Sequence, residues 1–296
     1  MTSGYGIEKI YLDHANLPGF YPFLPGYDHG LSLEDIPTKV STINHLSDIY
    51  LCWGERIFNN LKTLTKKKPF IAGAPFVIYK KKNNIVKNTI KKTIFFPSHS
   101  TDKIGQNINP YDIHKMINEI DFHFKPIDIC LHWIDYLRDK EKYKDLGYNV
   151  YTAGKVFNNS FTENFYNILK NYEYSMSNKL GTYILYSVDL GVPFSLIGKE
   201  PIYYNHSGDK NKPLKYKVTD YEYGKKVKKL FFGLNNYISD DQKEFVLKET
   251  GSNNIISQKL LNSILKEEFY KSLTKFKGNK NIIKFLTKSI YLKLFK

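Results

Sequence analysis

Short apolar runs alternate with amphipathic stretches between residues 93 and 197. The runs are rich in β-branched and aromatic residues, and the stretches between them repeat apolar positions at helical spacing, which is typical of βαβ units around a parallel sheet. This pattern predicts five strands, at Thr93–Pro97, Ile127–His132, Asn149–Thr152, Glu173–Met176 and Pro193–Ile197. It predicts helices in the gaps, at Tyr111–Phe122, Thr162–Asn171 and Lys179–Leu190, with Ser177 as a possible cap of the last.

The flanking parts of the chain follow other patterns. The first part is less regular but has apolar runs of its own, and the lysine- and asparagine-rich stretch Lys80–Asn88 that follows them is the best linker candidate. After Ser207 the sequence is polar and mostly helical, with Ser239 and Gln242 spaced as a capping box. We therefore predict an α/β protein with a short N-terminal α/β domain at 1–90, a second α/β domain at 91–207 and a helical extension at 208–296.

The composition excludes disordered, collagen-like and low-complexity chains. Of 296 residues, 42% are hydrophobic and 16% aromatic, which is enough apolar surface to offset the ordering entropy. Both cysteines, Cys52 and Cys130, lie inside apolar runs, where buried thiols are expected rather than a disulfide or metal ligands. No window approaches the ~18 apolar residues of a membrane span, and the first residues lack signal-peptide features, so a cytoplasmic location is expected.

The net charge of +15 does not by itself identify a binding partner, so the positions of the charged residues must be considered. Residues 271–296 contain eight lysines and no acidic residue. A helix over Asn279–Phe295 has an apolar stripe opposite lysines, so it either lies on an anionic membrane or docks on the body of the protein with a solvated lysine face. Arginines are few and no zinc-finger, RNA-binding or basic-zipper pattern occurs, so nucleic acid is not an expected partner.

Two polar stretches follow predicted strands and are candidate phosphate sites. The stretch Ser177–Thr182 begins a predicted helix, whose N-terminus can hold an anion, although an ordinary cap with a packing glycine has the same appearance. The stretch Phe96–Asp102 contains Ser98, His99 and Ser100, and is either a turn before the next helix or part of a ligand crevice. Since ligands bind beyond the carboxyl ends of strands in open α/β sheets, we expect both stretches to face one crevice.

Two further strand ends and one N-terminal pair are weaker candidates. His132, Thr152 and Gly154 end strands that could line the same crevice, although a satisfied core histidine is the favoured interpretation of His132. Asp28 and His29 lie beside glycines and are suited to act as a general base. The motifs of dehydrogenases, P-loop proteins, serine hydrolases and zincins are absent from the sequence.

Taken in order, these stretches resemble a known family. They are Asp28-His-Gly30, Trp53-Gly-Glu55, Gly73-Ala-Pro-Phe76, Phe95–Thr101, Thr152-Ala-Gly154, Ser177–Thr182 and Leu190-Gly-Val-Pro193. Their order resembles GT-B-fold glycosyltransferases of bacterial capsule and O-antigen (surface polysaccharide and lipopolysaccharide) biosynthesis, and distantly the sialyltransferase-like groups. The likeness spans roughly Leu12 to Ile197.

The resemblance implies two Rossmann-like domains and metal-independent transfer of a sugar from a nucleotide-sugar donor, with no cofactor, to a surface glycan or lipid-linked acceptor. It implies that Asp28 or His29 is the base. It implies donor phosphate contacts at His99, Ser177 and Thr182. From their place at the ends of predicted strands we expect further phosphate contacts at Ser98, Ser100, Asn178 and Gly181, and nucleotide contacts in the crevice at His132, Thr152 and Gly154. In two respects the chain departs from the family: the N-terminal domain is short, and His99 precedes serine where the sialyltransferase-like groups have proline.

Other functions fit the same residues. A sugar-nucleotide epimerase or a glycerol- or sugar-phosphate transferase would use the same phosphate cradle, and only the phosphate transferase leaves phosphate in its acceptor. A non-catalytic basic adaptor that binds membrane or glycan is the alternative from a different class. In the transferase hypothesis the basic C-terminus predicts peripheral association with the inner membrane, and in the adaptor hypothesis it is the part that binds anionic lipid or glycan.

Overall fold

The computed structural model describes residues 4–34, 47–101, 103–205 and 220–275. Its α-helices are α1 (Ile7–His14), α2 (Glu55–Leu64), α3 (Pro75–Lys82), α4 (Pro110–Asn118), α5 (Trp133–Asp145), α6 (Phe161–Leu169), α7 (Tyr183–Asp189), α8 (Glu222–Phe231), α9 (Asp240–Thr250) and α10 (Gln258–Lys275). Its strands are β1 (Gly26–Tyr27), β2 (Ile49–Cys52), β3 (Lys68–Ile71), β4 (Lys91–Phe96), β5 (Ile104–Gln106), β6 (Ile127–Cys130), β7 (Val150–Tyr151), β8 (Tyr172–Ser177), β9 (Phe194–Leu196) and β10 (Tyr203–Asn205).

Contacts between residues divide the described chain into two units. Unit 1 contains residues 4–29, 47–82 and 247–275, and unit 2 contains residues 30–34, 83–101, 103–205 and 220–246. The predicted linker Lys80–Asn88 spans the point at which the chain passes from unit 1 to unit 2 after Lys82. The segment predicted as a helical extension contributes α8 to unit 2 and α10 to unit 1. The predicted basic helix Asn279–Phe295 lies outside the described residues.

Unit 1 is built on a parallel sheet of order β1-β2-β3. Side chains of β2 alternate between its two faces, as the pleat of a strand requires. Ile49 and Leu51 pack with α1, α3 and α10, whereas Tyr50 and Cys52 pack against α2 on the opposite face. Cys52 is fully buried and unpaired, and burial raises the pKa of its thiol, so the expected buried cysteine is confirmed.

Unit 2 contains a five-stranded, wholly parallel sheet of order β7-β6-β4-β8-β9. Counting only its strands in chain order, this is the order 3-2-1-4-5 of doubly wound α/β folds. On β4, Phe95 packs against α4, whereas Phe96 stacks on Phe165 of α6 and Tyr183 of α7, so helices cover both faces. Strands β5 and β10 form a separate antiparallel pair. The prediction of an α/β chain with a parallel sheet is confirmed.

All five predicted strands are present within about two residues of their predicted limits, but two helices differ. Asn109 caps α4 with a capping box and Pro110 starts it, yet the helix ends at Asn118, and Phe122 instead belongs to a short 3-10 turn, Phe122–Phe124. The helix predicted from Lys179 begins only at Tyr183. The capping box at Ser239 and Gln242 is confirmed, since each side chain accepts from the other residue's backbone N–H.

Candidate functional site

The ends of β4 and β8 lie where the sequence predicts a crevice in unit 2. These strands are neighbours, and Phe96, the last residue of β4, pairs in register with Ser177, the last residue of β8. The remaining strands extend the sheet on both sides of this pair, with β6 next to β4 and β9 next to β8. Such a reversal of strand order opens a crevice at the carboxyl edge of the sheet, where doubly wound proteins bind ligands.

Ser98 and Asn178 join the two loops that leave this edge. The Ser98 backbone N–H donates to Asn178 Oδ1 at 2.7 Å, and Asn178 Nδ2 donates to Ser98 Oγ at 3.1 Å. Both residues are buried. The two stretches that the sequence assigned to one crevice are therefore in direct contact, and we call these joined loops the floor of the predicted crevice.

His99 lies on this floor as a neutral imidazole. Its Nδ1 lies 3.1 Å from the Ser100 carbonyl oxygen, which can only accept, so Nδ1 carries the proton and Nε2 carries the lone pair. Burial lowers the pKa of His99 to about 4, and the positive charge of Lys179 acts in the same direction. A negatively charged ligand would oppose both effects and favour the protonated ring.

His132 stacks on His99, with ring centroids 4.4 Å apart. Burial is also the main reason that the pKa of His132 is lowered, to about 3. Its buried Nδ1 has no hydrogen-bond partner among the described residues, so it is not the satisfied core histidine that the sequence favoured. Buried polar atoms are usually paired, and an unpaired nitrogen at this edge is one that a ligand or water can satisfy.

Asp135 and Arg138 hold the other side of the His99 loop, and sequence reasoning missed both. The Ser100 backbone N–H donates to Asp135 Oδ2 at 3.1 Å, and Arg138 forms ion pairs with Asp135 at 2.7 Å and Asp139 at 2.6 Å. The spacing of the two acids around Arg138 in α5 was the available signal. Because two carboxylates neutralise Arg138, this group braces the loop rather than offering a free positive charge.

The hydroxyl groups predicted to bind phosphate are engaged within the protein. Ser177 is fully buried, and its Oγ accepts from the Lys179 backbone N–H at 3.0 Å and contacts the Tyr183 hydroxyl at 2.8 Å. Ser177 therefore ends β8 and does not cap a helix. Thr182 Oγ1 accepts from the Leu31 backbone N–H at 3.1 Å. A seven-residue α7 that starts at Tyr183 removes the predicted helix terminus from the stretch beginning at Ser177.

Two glycines of unit 2 allow close packing around Thr182 and Tyr183. A Cβ on Gly30 would lie 2.5 Å from Thr182 Oγ1, and one on Gly181 would lie 2.8 Å from the Tyr183 ring. Gly181 is thus a packing residue beside the crevice.

Thr152 and Gly154 lie beyond the end of β7, the outermost strand of the sheet. They follow β7, which is separated from β4 by β6. The Gly154 backbone N–H donates to Thr152 Oγ1 at 3.2 Å, and Gly154 has a positive φ of 92°, which favours glycine. The pair forms a local turn one strand further from the β4–β8 crevice than His132.

Lys179 and Tyr203 were also missed by sequence reasoning. The Lys179 ammonium lies 4.3 Å from the centroid of the Tyr203 ring. Lys179 follows Asn178 directly, so the only available signal was a lysine inside the predicted cradle. Tyr203 reaches this position through β10, whose pairing with β5 no local pattern indicated.

Asp28 lies at the carboxyl end of β1 in unit 1. Its Oδ1 accepts from the Tyr50 hydroxyl at 2.9 Å and its Oδ2 from the Trp53 backbone N–H at 2.8 Å. Asp28 is only 8% exposed, and burial raises the pKa of its carboxyl to about 6, although both hydrogen bonds act in the opposite direction. A carboxyl that titrates near neutrality can exchange protons at physiological pH.

A largely buried ion pair between α2 and α9 lies near Asp28. Arg56 donates to both carboxylate oxygens of Glu249, at 2.9 and 3.0 Å. The charge of Glu249 raises the pKa of Asp28, and Arg56 lowers it by a smaller amount. Gly54 permits the approach of α9, since a Cβ there would lie 1.9 Å from the Lys248 carbonyl oxygen.

His29 is exposed and packs its ring against Tyr27, with centroids 5.0 Å apart. It is the last residue of unit 1 before the chain enters unit 2. Of the two candidate bases, Asp28 is buried and has the raised pKa, whereas His29 is exposed to solvent.

The described residues contain no group of three or more His, Cys, Asp or Glu side chains arranged to hold a metal ion. Among the described helices, none is both long and apolar enough to cross a membrane.

Comparison with protein-family models finds none that matches the chain, and comparison with curated proteins finds no significant match.

Proposed function

We propose that the chain is a GT-B glycosyltransferase that transfers a sugar from a nucleotide-sugar donor to a surface glycan or lipid-linked acceptor. One observation carries the proposal: Asn178 joins the loops after β4 and β8 where the strand order of a doubly wound sheet reverses. That edge is where doubly wound sheets bind nucleotides. The presence of a second parallel sheet in unit 1 supports the assignment of two Rossmann-like halves.

In this proposal unit 2 binds the donor. His99 takes up a proton when the donor phosphate arrives, and its Nε2–H then donates to the phosphate oxygen that becomes the leaving group. Ser98 and Asn178 hold the loop, and stacking on His132 limits the motion of the His99 ring. A fixed donor aimed at developing charge needs no reorganisation during the reaction, and loss of one such donor costs about 10²-fold in turnover.

Asp28 is the proposed base in unit 1. Its carboxylate accepts the proton that the acceptor hydroxyl loses in the transfer. A pKa of about 6 leaves most of the group ionised at pH 7 while keeping it more basic than an ordinary aspartate. The Tyr50 hydroxyl and Trp53 N–H fix the orientation of the carboxylate.

The donor site is tested by the thermal stability of the purified protein with CMP, UDP, GDP, dTDP and CDP, with and without added metal. A nucleotide at 100 times its Kd stabilises the folded state by about 2.7 kcal/mol, which gives a measurable shift in Tm. We expect a shift with at least one nucleotide that is lost in His99→Gln. His123→Gln is the matched control, because His123 lies before β6, at the opposite edge of the sheet, where its Nε2 contacts the Tyr174 hydroxyl.

No shift with any nucleotide overturns the proposal, and equal loss in both variants removes the assignment of His99. Incubation with the stabilising donor and product analysis then separates transfer from the other candidate reactions. Sugar without phosphate in the acceptor supports a glycosyltransferase. An epimerised donor or a phosphorylated acceptor contradicts it.

The membrane part of the proposal rests on the sequence of the lysine-rich C-terminus. We propose that residues 279–296 hold the enzyme at anionic lipid, where lipid-linked acceptors are found. Their deletion should reduce co-sedimentation with phosphatidylglycerol vesicles and leave the nucleotide-induced Tm shift intact. Unchanged co-sedimentation overturns this part alone.

A further inference from the structure

Lys179 is a partly buried cation without a carboxylate partner among the described residues. It follows Asn178 at the carboxyl end of β8, and its ammonium is positioned over the Tyr203 ring. The guanidinium of Arg138, by contrast, pairs with two carboxylates. Glu200 is the acidic residue that acts on Lys179, yet its own ion pair is with Lys228, at 3.7 Å.

Keeping this ammonium away from a counterion has a cost. Burial is the main reason that the pKa of Lys179 falls to about 8, and the negative charge of Glu200 only partly opposes it. Desolvated charges in proteins are normally paired, because an unpaired one loses hydration without gaining a partner. Lys179 also lowers the pKa of His99, which shows that its charge acts on the crevice floor.

Near this edge, uncharged polar atoms also have no hydrogen-bond partner in the part of the chain that the structure describes. The Tyr203 hydroxyl and the Nδ1 atom of His132 are buried, and neither has a hydrogen-bond partner among the described residues. Tyr203 is held by the antiparallel pairing of β10 with β5, which fixes its ring beneath the ammonium. A phenolic hydroxyl can donate one hydrogen bond and an ammonium three, so together they suit a ligand that only accepts.

We propose that the Lys179 ammonium and the Tyr203 hydroxyl form an oxyanion receptor that binds a phosphate group of the donor. The inference rests on the proposed function and deepens it, because it assigns the charged contact that neutral His99 does not supply in the free protein. The partly desolvated Lys179 ammonium attracts the oxyanion by its charge, and the Tyr203 hydroxyl donates a directional hydrogen bond to it. The unpaired hydroxyl and the unpaired cation are both satisfied when the oxyanion binds.

The first test is calorimetric titration with inorganic pyrophosphate at pH 7. We expect at least a tenfold loss of affinity in Lys179→Gln and a smaller loss in Tyr203→Phe, which keeps the ring but removes the hydroxyl. Lys155→Gln is the matched control, because the Lys155 ammonium lies over the Trp133 ring at 5.7 Å, in a similar cation–π contact. Its affinity should stay within about twofold of the wild type, which is under 0.5 kcal/mol.

A second test compares wild type with Lys179→Arg as the pH rises. Arginine stays charged where a lysine with a pKa of about 8 loses its proton. The ratio of wild-type to Lys179→Arg affinity should fall about tenfold per pH unit above that value, and the titration of pyrophosphate itself cancels in the ratio. A ratio that stays constant from pH 7 to pH 11, beyond the ordinary lysine pKa of about 10.4, overturns the receptor even if Lys179→Gln is weakened by a change in folding.

The results distinguish this inference from the proposed function. If nucleotides bind the wild type and Lys179→Gln equally, the receptor is wrong and the donor site stands. If pyrophosphate binding depends on Lys179 but no nucleotide binds, the receptor stands and the glycosyltransferase is wrong. If neither pyrophosphate nor any nucleotide binds, both are wrong.

Discussion

Asn178 forms two hydrogen bonds to Ser98, one from each end of its side-chain amide. Oδ1 accepts the Ser98 backbone N–H at 2.7 Å and Nδ2 donates to Ser98 Oγ at 3.1 Å. The two residues are 80 positions apart in the sequence and lie just beyond the ends of neighbouring strands. This arrangement makes one rigid floor from two loops.

We expect Asn178→Ala to destabilise unit 2 by about 2–4 kcal/mol, because it leaves the buried Ser98 N–H and hydroxyl without partners. Urea unfolding measures the change. Asn167→Ala is the control: Asn167 is exposed on α6, and its substitution should cost less than about 0.5 kcal/mol. Equal effects of the two substitutions would contradict the role of Asn178.

Gly30→Ala should destabilise the protein by about 1–3 kcal/mol, since the new methyl group would meet Thr182 Oγ1 at 2.5 Å. The hydroxyl cannot simply rotate away, because it accepts from the Leu31 N–H and belongs to a β-branched side chain. In a Thr182→Ala background the same substitution should cost at least about 1 kcal/mol less. A double-mutant cycle in urea measures this coupling, and strictly additive effects would show that the contact does not limit packing.

The strand ends at residues 96 and 177 were predictable because each strand is a short apolar run with local signals. The rule that ligands bind at the carboxyl edge then brought Ser98 and Asn178 together. The strand order that makes β4 and β8 neighbours was not predictable, since it depends on pairing between distant segments.

The role of Ser177 was misjudged for a local reason. Strand side chains alternate, and β8 continues to Ser177, so this residue shares the buried face of Ser175 rather than beginning a helix. A hydroxyl residue at a strand end has the same sequence appearance in either position. Lys179 was overlooked because its significance depends on Tyr203, which a distant strand pairing positions.

Asp28 should make stability depend on pH. Its folded pKa of about 6 exceeds the ordinary unfolded value of about 3.9, so the folded state binds the proton more tightly. Stability from this group is therefore fully present below about pH 4 and is lost as the pH rises through about 6, by about 3 kcal/mol. The free energy of unfolding of wild type minus that of Asp28→Asn should fall by about this amount between pH 3 and 7.

The comparison cancels the titration of all groups that the two proteins share. The same comparison can be repeated with Glu249→Gln present in both proteins. Removing the charge of Glu249 and releasing Arg56 from its ion pair both lower the pKa of Asp28. The pH-dependent fall in the free-energy difference should then be smaller and occur at lower pH. A wild-type-minus-variant difference that is constant with pH would show that Asp28 is an ordinary carboxylate.

Donor binding should be accompanied by proton uptake at His99. In the free protein this ring has a pKa of about 4 and is neutral at pH 6. A bound phosphate raises that pKa, so the complex should take up close to one proton at pH 6, where Lys179 is already protonated in the free protein. The probe is the nucleotide sugar that gives the largest Tm shift, because its esterified phosphates do not titrate in this range. Calorimetry in buffers of different ionisation enthalpy gives the number of protons taken up.

Proton uptake should disappear in His99→Gln and persist in His123→Gln. Binding without proton exchange in the wild type would mean that His99 stays a neutral acceptor and does not bind the phosphate, which would then be held by Lys179 and Tyr203.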